Sequence, residues 1–166
     1  MIPTPTTIST ARQNDAPAIL ELQKTAFYAQ GVLYDNFTLP PLTETLDEFK
    51  NAFLSYHVLK AEHGARIIGS VHAYEREGTC FIERLVVDPD YQNGGIGSTL
   101  MSAIENHYRD HVDRYELFTG HKSAKSLYLY NKLGYRIFRT AEEYAVPLCY
   151  LEKPNRMKAK QNDTPK

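Results

Sequence analysis

The stretch Leu85-Val-Val-Asp-Pro-Asp-Tyr-Gln-Asn-Gly-Gly-Ile-Gly-Ser-Thr-Leu-Met101 decides how the rest of the chain is read. Leu85, Val86 and Val87 are the apolar and β-branched residues that suit a buried pleated surface. Asp88-Pro89-Asp90 then stops the strand, because proline lacks a ladder donor and aspartate favours turns. Gln92-Asn93-Gly94-Gly95-Ile96-Gly97 follows, and Ile96, Leu100, Ile104 and Tyr108 recur at helical spacing. A strand feeding a glycine loop that opens a helix is an anion site by construction. The helix's first turn offers unpaired N–H groups and the positive end of the dipole, and glycine lets a ligand approach the backbone.

Two common phosphate motifs fail here. No Gly-Lys-Ser/Thr run exists, and the third glycine of the dinucleotide fingerprint would fall on Leu100. What remains, Gln92-x-x-Gly95-x-Gly97 behind Leu-Val-Val-Asp-Pro, resembles the pyrophosphate loop of the GNAT superfamily of acetyl-CoA-dependent N-acetyltransferases. A second run, Ser123-Ala-Lys-Ser-Leu-Tyr-Leu-Tyr130-Asn-Lys-Leu-Gly134-Tyr135, reads alone as an amphipathic helix closed by glycine. Beside the first run it resembles the family's N-x-x-A-x-x-x-Y-x-K-x-G-F/Y segment.

The resemblance implies acetyl-CoA as co-substrate, with no metal. It implies cofactor contacts from Leu85, Val86, Val87, Gln92, Asn93, Gly94, Gly95, Ile96, Gly97, Ser98, Ser123, Ser126 and Tyr130. Tyr130 stands where the family has the acid that protonates the departing thiolate. Two positions depart from the pattern. Ser123 replaces the usual asparagine, and Asn93-Gly94 replaces residues that are often basic. Backbone N–H groups then carry most of the pyrophosphate binding, with Lys122, Lys125 or Lys132 as candidate helpers.

The flanking sequence gives a consistent order of elements. Thr6 to Arg12 reads as a strand, and Asp15 opens a helix that Gly31 ends. Gly31 to Pro41 reads as irregular, and Thr43 begins a second helix through Leu46, Phe49 and Phe53. Tyr56–Glu62, Arg66–Tyr74 and Thr79–Asp88 form an antiparallel meander turned at His63-Gly64 and Gly78. After the third helix come a strand at Arg114–Thr119, a helix at Ser123–Leu133 and strands at Tyr135–Arg139 and Tyr144–Leu151. This is an α+β pattern. It matches the GNAT acyl-CoA N-acyltransferase fold over roughly residues 6–151: a mixed sheet of six to seven strands with about four helices.

Composition bounds the rest. The 166 residues suit one domain, assigned to residues 1–152, and 42% hydrophobic with 23% charged residues is ordinary for a globular chain. Residues 153–166 hold five Lys/Arg and one acid, a basic tail expected to be disordered. The tail contributes +4 of the overall −1, which leaves the body at −5. An acidic body argues against nucleic acid as partner. Neither a secretory signal nor a membrane-length apolar run is evident, so the expected location is the cytoplasm. Cys80 and Cys149 read as buried reduced thiols.

Acetyl transfer needs a deprotonated amine, a stabilised oxyanion and a proton for the thiolate. Alternation puts Phe81, Glu83, Leu85 and Val87 on one strand face, opposite Ile82, Arg84 and Val86. Glu83 is thus the one carboxylate on an otherwise apolar face and the candidate base, with a water wire as the alternative. Family members also carry glutamate here, and their oxyanion donors are backbone N–H groups where the strand splays, around Val86 and Val87. His72 and His121 are secondary candidates for the acceptor site. His107 and His111 have metal spacing but no third ligand. Tyr28, Tyr34 and Phe37 could wall a pocket for a small primary amine. Alternatives are a protein N-terminus or lysine as acceptor, or a non-catalytic acetyl-CoA-binding module. Homodimerisation is common in the family.

Overall fold

The structure, a computed structural model, describes residues 4–158. The elements are β1 (Thr6–Thr10), α1 (Ala16–Tyr34), α2 (Pro40–Thr43), α3 (Leu46–Ala52), β2 (His57–His63), β3 (Arg66–Arg76) and β4 (Thr79–Val87). They continue as α4 (Ile96–Tyr108), β5 (Arg114–Gly120), α5 (Ala124–Lys132), β6 (Arg136–Glu143) and β7 (Val146–Pro154). Short 3₁₀ turns occupy Gln13–Asp15 and Pro89–Tyr91. The strands form one seven-stranded sheet in the order β1-β2-β3-β4-β5-β7-β6. It is mixed: β4 and β5 pair in parallel, whereas β1–β2, β5–β7 and β6–β7 are antiparallel.

Contacts divide the chain into two compact units, residues 1–72 with 84–104 and residues 73–83 with 105–166. The first unit has a core of Ala11, Ala16, Ile19, Leu20, Phe49 and Val58, with Leu46, Phe53, Tyr56 and Ile67 packed against it. Thr45 starts α3 with a capping box: Glu48 N–H donates to Thr45 Oγ1 at 3.2 Å, and Thr45 N–H donates to Glu48 Oε2 at 2.8 Å. Gly69 lets α4 lie close to β3, since a Cβ there would sit 3.0 Å from Leu100 Cδ1 and 3.2 Å from Ile96 Cγ2.

In the second unit Tyr135 is fully buried, and its hydroxyl donates to Glu105 Oε1 at 2.7 Å. Lys153 donates to the other oxygen of that carboxylate at 2.8 Å. Asn155, also buried, donates through Nδ2 to the Arg109 and Val112 carbonyls at 2.7 and 2.8 Å. Lys158 pairs with Asp113 at 2.9 Å.

These bonds correct the expected tail. β7 runs to Pro154, and residues 153–158 are ordered because their polar groups satisfy carbonyls and carboxylates at the end of α4 and the start of β5. Residues 159–166 lie outside the described part of the chain.

Two further expectations change. Gly31 does not end α1, which runs to Tyr34 and stops at Asp35 in the left-handed conformation, φ 48°. Gly31 is there for room: a Cβ would lie 2.7 Å from Phe37 Cδ1 and 3.0 Å from Leu42 Cδ1. The stretch read as irregular therefore contains the end of α1 and the short α2, whose Pro40 and Pro41 sit in the first turn, where a missing N–H costs nothing.

Candidate active site

In the first unit, β4 is followed by Asp88, a buried carboxylate. Its side chain accepts from Asp90 N–H at 2.9 Å and from Arg66 at 2.7 Å, while its own N–H donates to Ile68 C=O at 2.8 Å. The turn is thus tied to β3 before the glycines begin. Gln92 folds back, its Nε2 donating to Val87 C=O at 3.2 Å. Asn93 and Gly95 take positive φ, 66° and 80°. Nothing lies within 4 Å of a Cβ built on Gly95, and residues 92–95 are all exposed.

α4 starts at Ile96, and Thr99 N–H donates to Gly95 C=O at 3.0 Å. The N–H groups of Ile96, Gly97 and Ser98 precede that bond and lie at the positive end of the helix. Exposed backbone N–H groups at the start of a helix suit an anion such as a pyrophosphate. Leu85 and Val87 are half-buried and Val86 is buried.

Arg84 adopts φ 54°, a left-handed residue within β4, yet burial keeps its alternation: Cys80, Ile82 and Val86 are buried, and Phe81, Glu83, Leu85 and Val87 are half-buried. Parallel pairing with β5 covers Thr79 to Phe81 of the nine residues in β4. Arg84 lies 3.9 Å from Glu44, which accepts from Gln23 Nε2 at 2.9 Å, and that same amide donates to Pro41 C=O at 3.0 Å.

His72 lies among these groups and is enclosed rather than facing an open site. Phe49 and Tyr56 meet it edge-on at 5.3 and 6.0 Å. Its Nε2 is buried without a hydrogen-bond partner among the described residues. Burial, helped by the Arg84 charge, drives its pKa down to about 3, so the ring is neutral.

Tyr28 and Phe37 pack on each other, their ring centroids 5.4 Å apart.

In the second unit, Glu83 lines a cavity of about 230 Å³ with Tyr74, Phe81, Ile82, Glu116, Leu117, Phe118, Arg139 and Tyr150. Neighbouring strands bring Glu116 and Arg139 beside it, and the alternation of β4 alone could not reveal them. Tyr74 and Phe81 stack at 5.1 Å. Arg114 pairs with Glu116 at 2.8 Å and with Glu152 at 2.7 Å.

Tyr130 is buried on α5 and meets Tyr135 edge-on at 6.0 Å. Burial pushes its phenol up to about 12, so it holds its proton at neutral pH, as a proton donor must. Ser123 is buried just before α5, and Ser126 is half-buried in its first turn. His121 is exposed, its ring Nδ1 3.2 Å from Pro147 C=O. Cys80 and Cys149 are buried free thiols, and burial raises Cys80 to about 12. Among the described residues no cluster of metal ligands occurs, and no helix is long and apolar enough to cross a membrane.

This sheet, with a glycine loop opening the helix after its fourth strand, is the architecture of acyl-CoA N-acyltransferases. The chain belongs to the acetyltransferase (GNAT) family, whose match spans residues 16–135. Similar solved structures include the ribosomal-protein-S18-alanine N-acetyltransferase of Escherichia coli, at 18% identity and TM-score 0.75, covering 90% of this chain and 94% of that one. The PaiA N-acetyltransferase of Thermoplasma acidophilum, solved with coenzyme A, aligns at 15% identity and TM-score 0.77, covering 90% and 99%. YncA of Salmonella typhimurium, a putative acetyltransferase solved with acetyl-CoA, aligns at 20% identity and TM-score 0.70, covering 90% and 94%. At these identities the likeness carries the fold alone. No curated protein matches the chain.

Proposed function

We propose that this protein is an N-acetyltransferase that moves the acetyl group of acetyl-CoA to a primary amine of a small molecule. The observation that carries the reading is Glu83 in an aromatic cavity, in the same unit as a protonated, buried Tyr130. Bound acetyl-CoA supplies an acetyl thioester, whose C–S bond breaks as the N–C bond to the acceptor forms. Glu83, directly or through a water wire, accepts the proton that the amine must lose. Tyr130 gives its phenolic proton to the departing sulfur. The N–H groups of Gly95, Ile96, Gly97 and Ser98 hold the pyrophosphate, and β4 backbone N–H groups around Val86 and Val87 stabilise the oxyanion.

The cavity supports a small acceptor. About 230 Å³ lies below the roughly 300–1,000 Å³ of drug-sized ligand sites. Aromatic walls beside a carboxylate suit an ammonium group.

The test is release of free thiol from acetyl-CoA against amino acids, polyamines, aminoglycosides and N-terminal peptides. Turnover with one class of small amine supports the reading. Turnover with peptides alone replaces the acceptor by a protein terminus. Acetyl-CoA that raises the melting temperature while no amine is acetylated leaves a binding module instead.

A further inference from the structure

β6 forms one edge of the seven-stranded sheet and has a strand partner, β7, on one side only. Its sequence, Arg136-Ile-Phe-Arg-Thr-Ala-Glu-Glu143, places positive charge at its start and negative charge at its end. All of its residues except Ala141 are exposed, Ile137 at 53% and Phe138 at 42%. The opposite edge differs: β1 is five residues of Thr, Ile and Ser, preceded by Pro5, with no charge to set a register. Charge of one sign along an edge keeps copies of a protein apart. On β6 the sign changes along the strand, which has the opposite consequence.

The pairing of β6 with β7 shows which part of the edge is regular. A register shift falls between Ile137 and Arg139, and from Arg139 to Glu143 the partners run without a break, Arg139 opposite Tyr150 and Glu143 opposite Val146. Arg139 and Glu143 are four residues apart on this run and so share one face. Both rest on Tyr150: the guanidinium lies 3.7 Å from the ring centroid, and the carboxylate accepts from the hydroxyl. Ala141 stands midway between them. When two copies of such a run pair antiparallel about a two-fold axis, each residue faces the one equally far beyond the centre. With Ala141 at the centre, Arg139 of each copy faces Glu143 of the other, and Thr140 faces Glu142. Centring on Arg139, Glu142 or Glu143 sets like charges opposite each other, and centring on Thr140 leaves Arg139 facing Ala141. Charge therefore selects one register.

We propose that the protein forms a homodimer through β6, two copies pairing antiparallel about Ala141 so that their sheets join into one. The partner is a second copy because the edge complements itself: antiparallel pairing brings the basic start of each strand to the acidic end of the other. Backbone groups along the edge then bond to each other instead of to water. The facing Arg–Glu pairs, with Cβ atoms about 4.5–5.5 Å apart, fix the orientation. The dimer is independent of acetyl transfer and stands or falls without it.

The experiment measures molecular mass by light scattering as the full chain is concentrated from about 1 µM to about 1 mM. The native mass should approach twice the 19.0 kDa of one copy. Arg139→Glu and Glu143→Arg each set like charges opposite each other and should raise the dimer dissociation constant at least about tenfold. The double variant, Arg139→Glu with Glu143→Arg, should bring it back toward the native value. Ala141→Cys tests the register with little change to the chain. Ala141 faces itself across the axis, so mild oxidation should link two copies, whereas Glu142→Cys, which faces Thr140, should link far fewer. Cys80 and Cys149 are buried and do not compete. A native chain that stays at the mass of one copy throughout, or a dimer that both single charge variants keep, overturns the proposal. So does an Ala141→Cys chain that crosslinks no faster than Glu142→Cys. Should a charge variant lose its fold by circular dichroism, the two cysteine variants decide alone: preferential crosslinking at Ala141→Cys supports the β6 dimer, and equal crosslinking or none overturns it.

Discussion

The glycine loop of the first unit and the cavity of the second are built from different materials. The loop offers backbone: residues 92–95 are exposed, Asn93 and Gly95 sit at positive φ, and the N–H groups of Ile96 to Ser98 precede the first helical hydrogen bond. The cavity offers side chains, drawn from β3, β4, β5, β6 and β7. A backbone site is a property of local conformation. It needs glycine at fixed positions and leaves a contiguous signature. A side-chain site is a property of strand register, so its members lie far apart in sequence and each looks ordinary alone.

The largest expected effects fall on the side-chain site. Glu83→Gln should lower kcat by about 10²–10⁴ if the carboxylate is the base, the range for a positioned acid or base. Acetyl-CoA affinity, measured by calorimetry, should stay within about threefold if the loop carries it, since 1.4 kcal/mol is needed for tenfold. Tyr130→Phe should also cut kcat, by less, because solvent can protonate a thiolate. Turnover unchanged in Glu83→Gln would assign proton removal to a water wire. A change in acetyl-CoA affinity of tenfold or more would break the division between the two sites.

The same contrast explains what was legible in the sequence. Leu85 to Met101 shows the strand, loop and helix because each feature is local. The seven strands follow from alternation and turn residues in the same way, apart from shifts of a few residues at their ends. Arg84 at φ 54° was not legible, since an arginine in a strand carries no local sign of a left-handed backbone. Gly31 misled because a glycine late in a helical pattern reads as a stop, whereas here it makes room for Phe37 and Leu42. The order of Lys153 to Lys158 depends on Glu105, Arg109, Val112 and Asp113, more than forty residues upstream. Glu116 and Arg139 became part of the site only through the pairing of β4 with β5 and of β7 with β6.

The next effect concerns stability and belongs to the first unit. His72 packs edge-on against Phe49 and Tyr56, and burial together with the Arg84 charge opposes protonation of its ring. The folded chain keeps this ring neutral until pH reaches about 3, but an unfolded chain protonates it near its ordinary 6.5. Between those values the unfolded state binds more protons, so stability is fully present above about 6.5 and falls as pH drops toward 3. The ceiling is on the order of 4 kcal/mol. His72→Leu should flatten the dependence of urea midpoint on pH across this window. An unchanged slope would show that other groups dominate acid unfolding.

The smallest effects test whether the loop really acts through its backbone. Gly95→Ala places a Cβ at φ 80°, where space is open but the conformation disfavours an L residue by roughly 1–2 kcal/mol. If acetyl-CoA requires that conformation, its Kd should rise by about five- to thirtyfold. Gln92→Ala removes one exposed hydrogen bond, from Nε2 to Val87 C=O at 3.2 Å. Such a bond contributes about 0.5–1.5 kcal/mol, toward the lower end where water competes, so Kd should rise by less than about threefold. Backbone binding predicts that order, Gly95→Ala above Gln92→Ala. The reverse order would mean that the glutamine side chain, released from Val87, touches the ligand itself. The loop would then be a side-chain site like the cavity, and its open backbone would be only the means of bringing Gln92 to the phosphates.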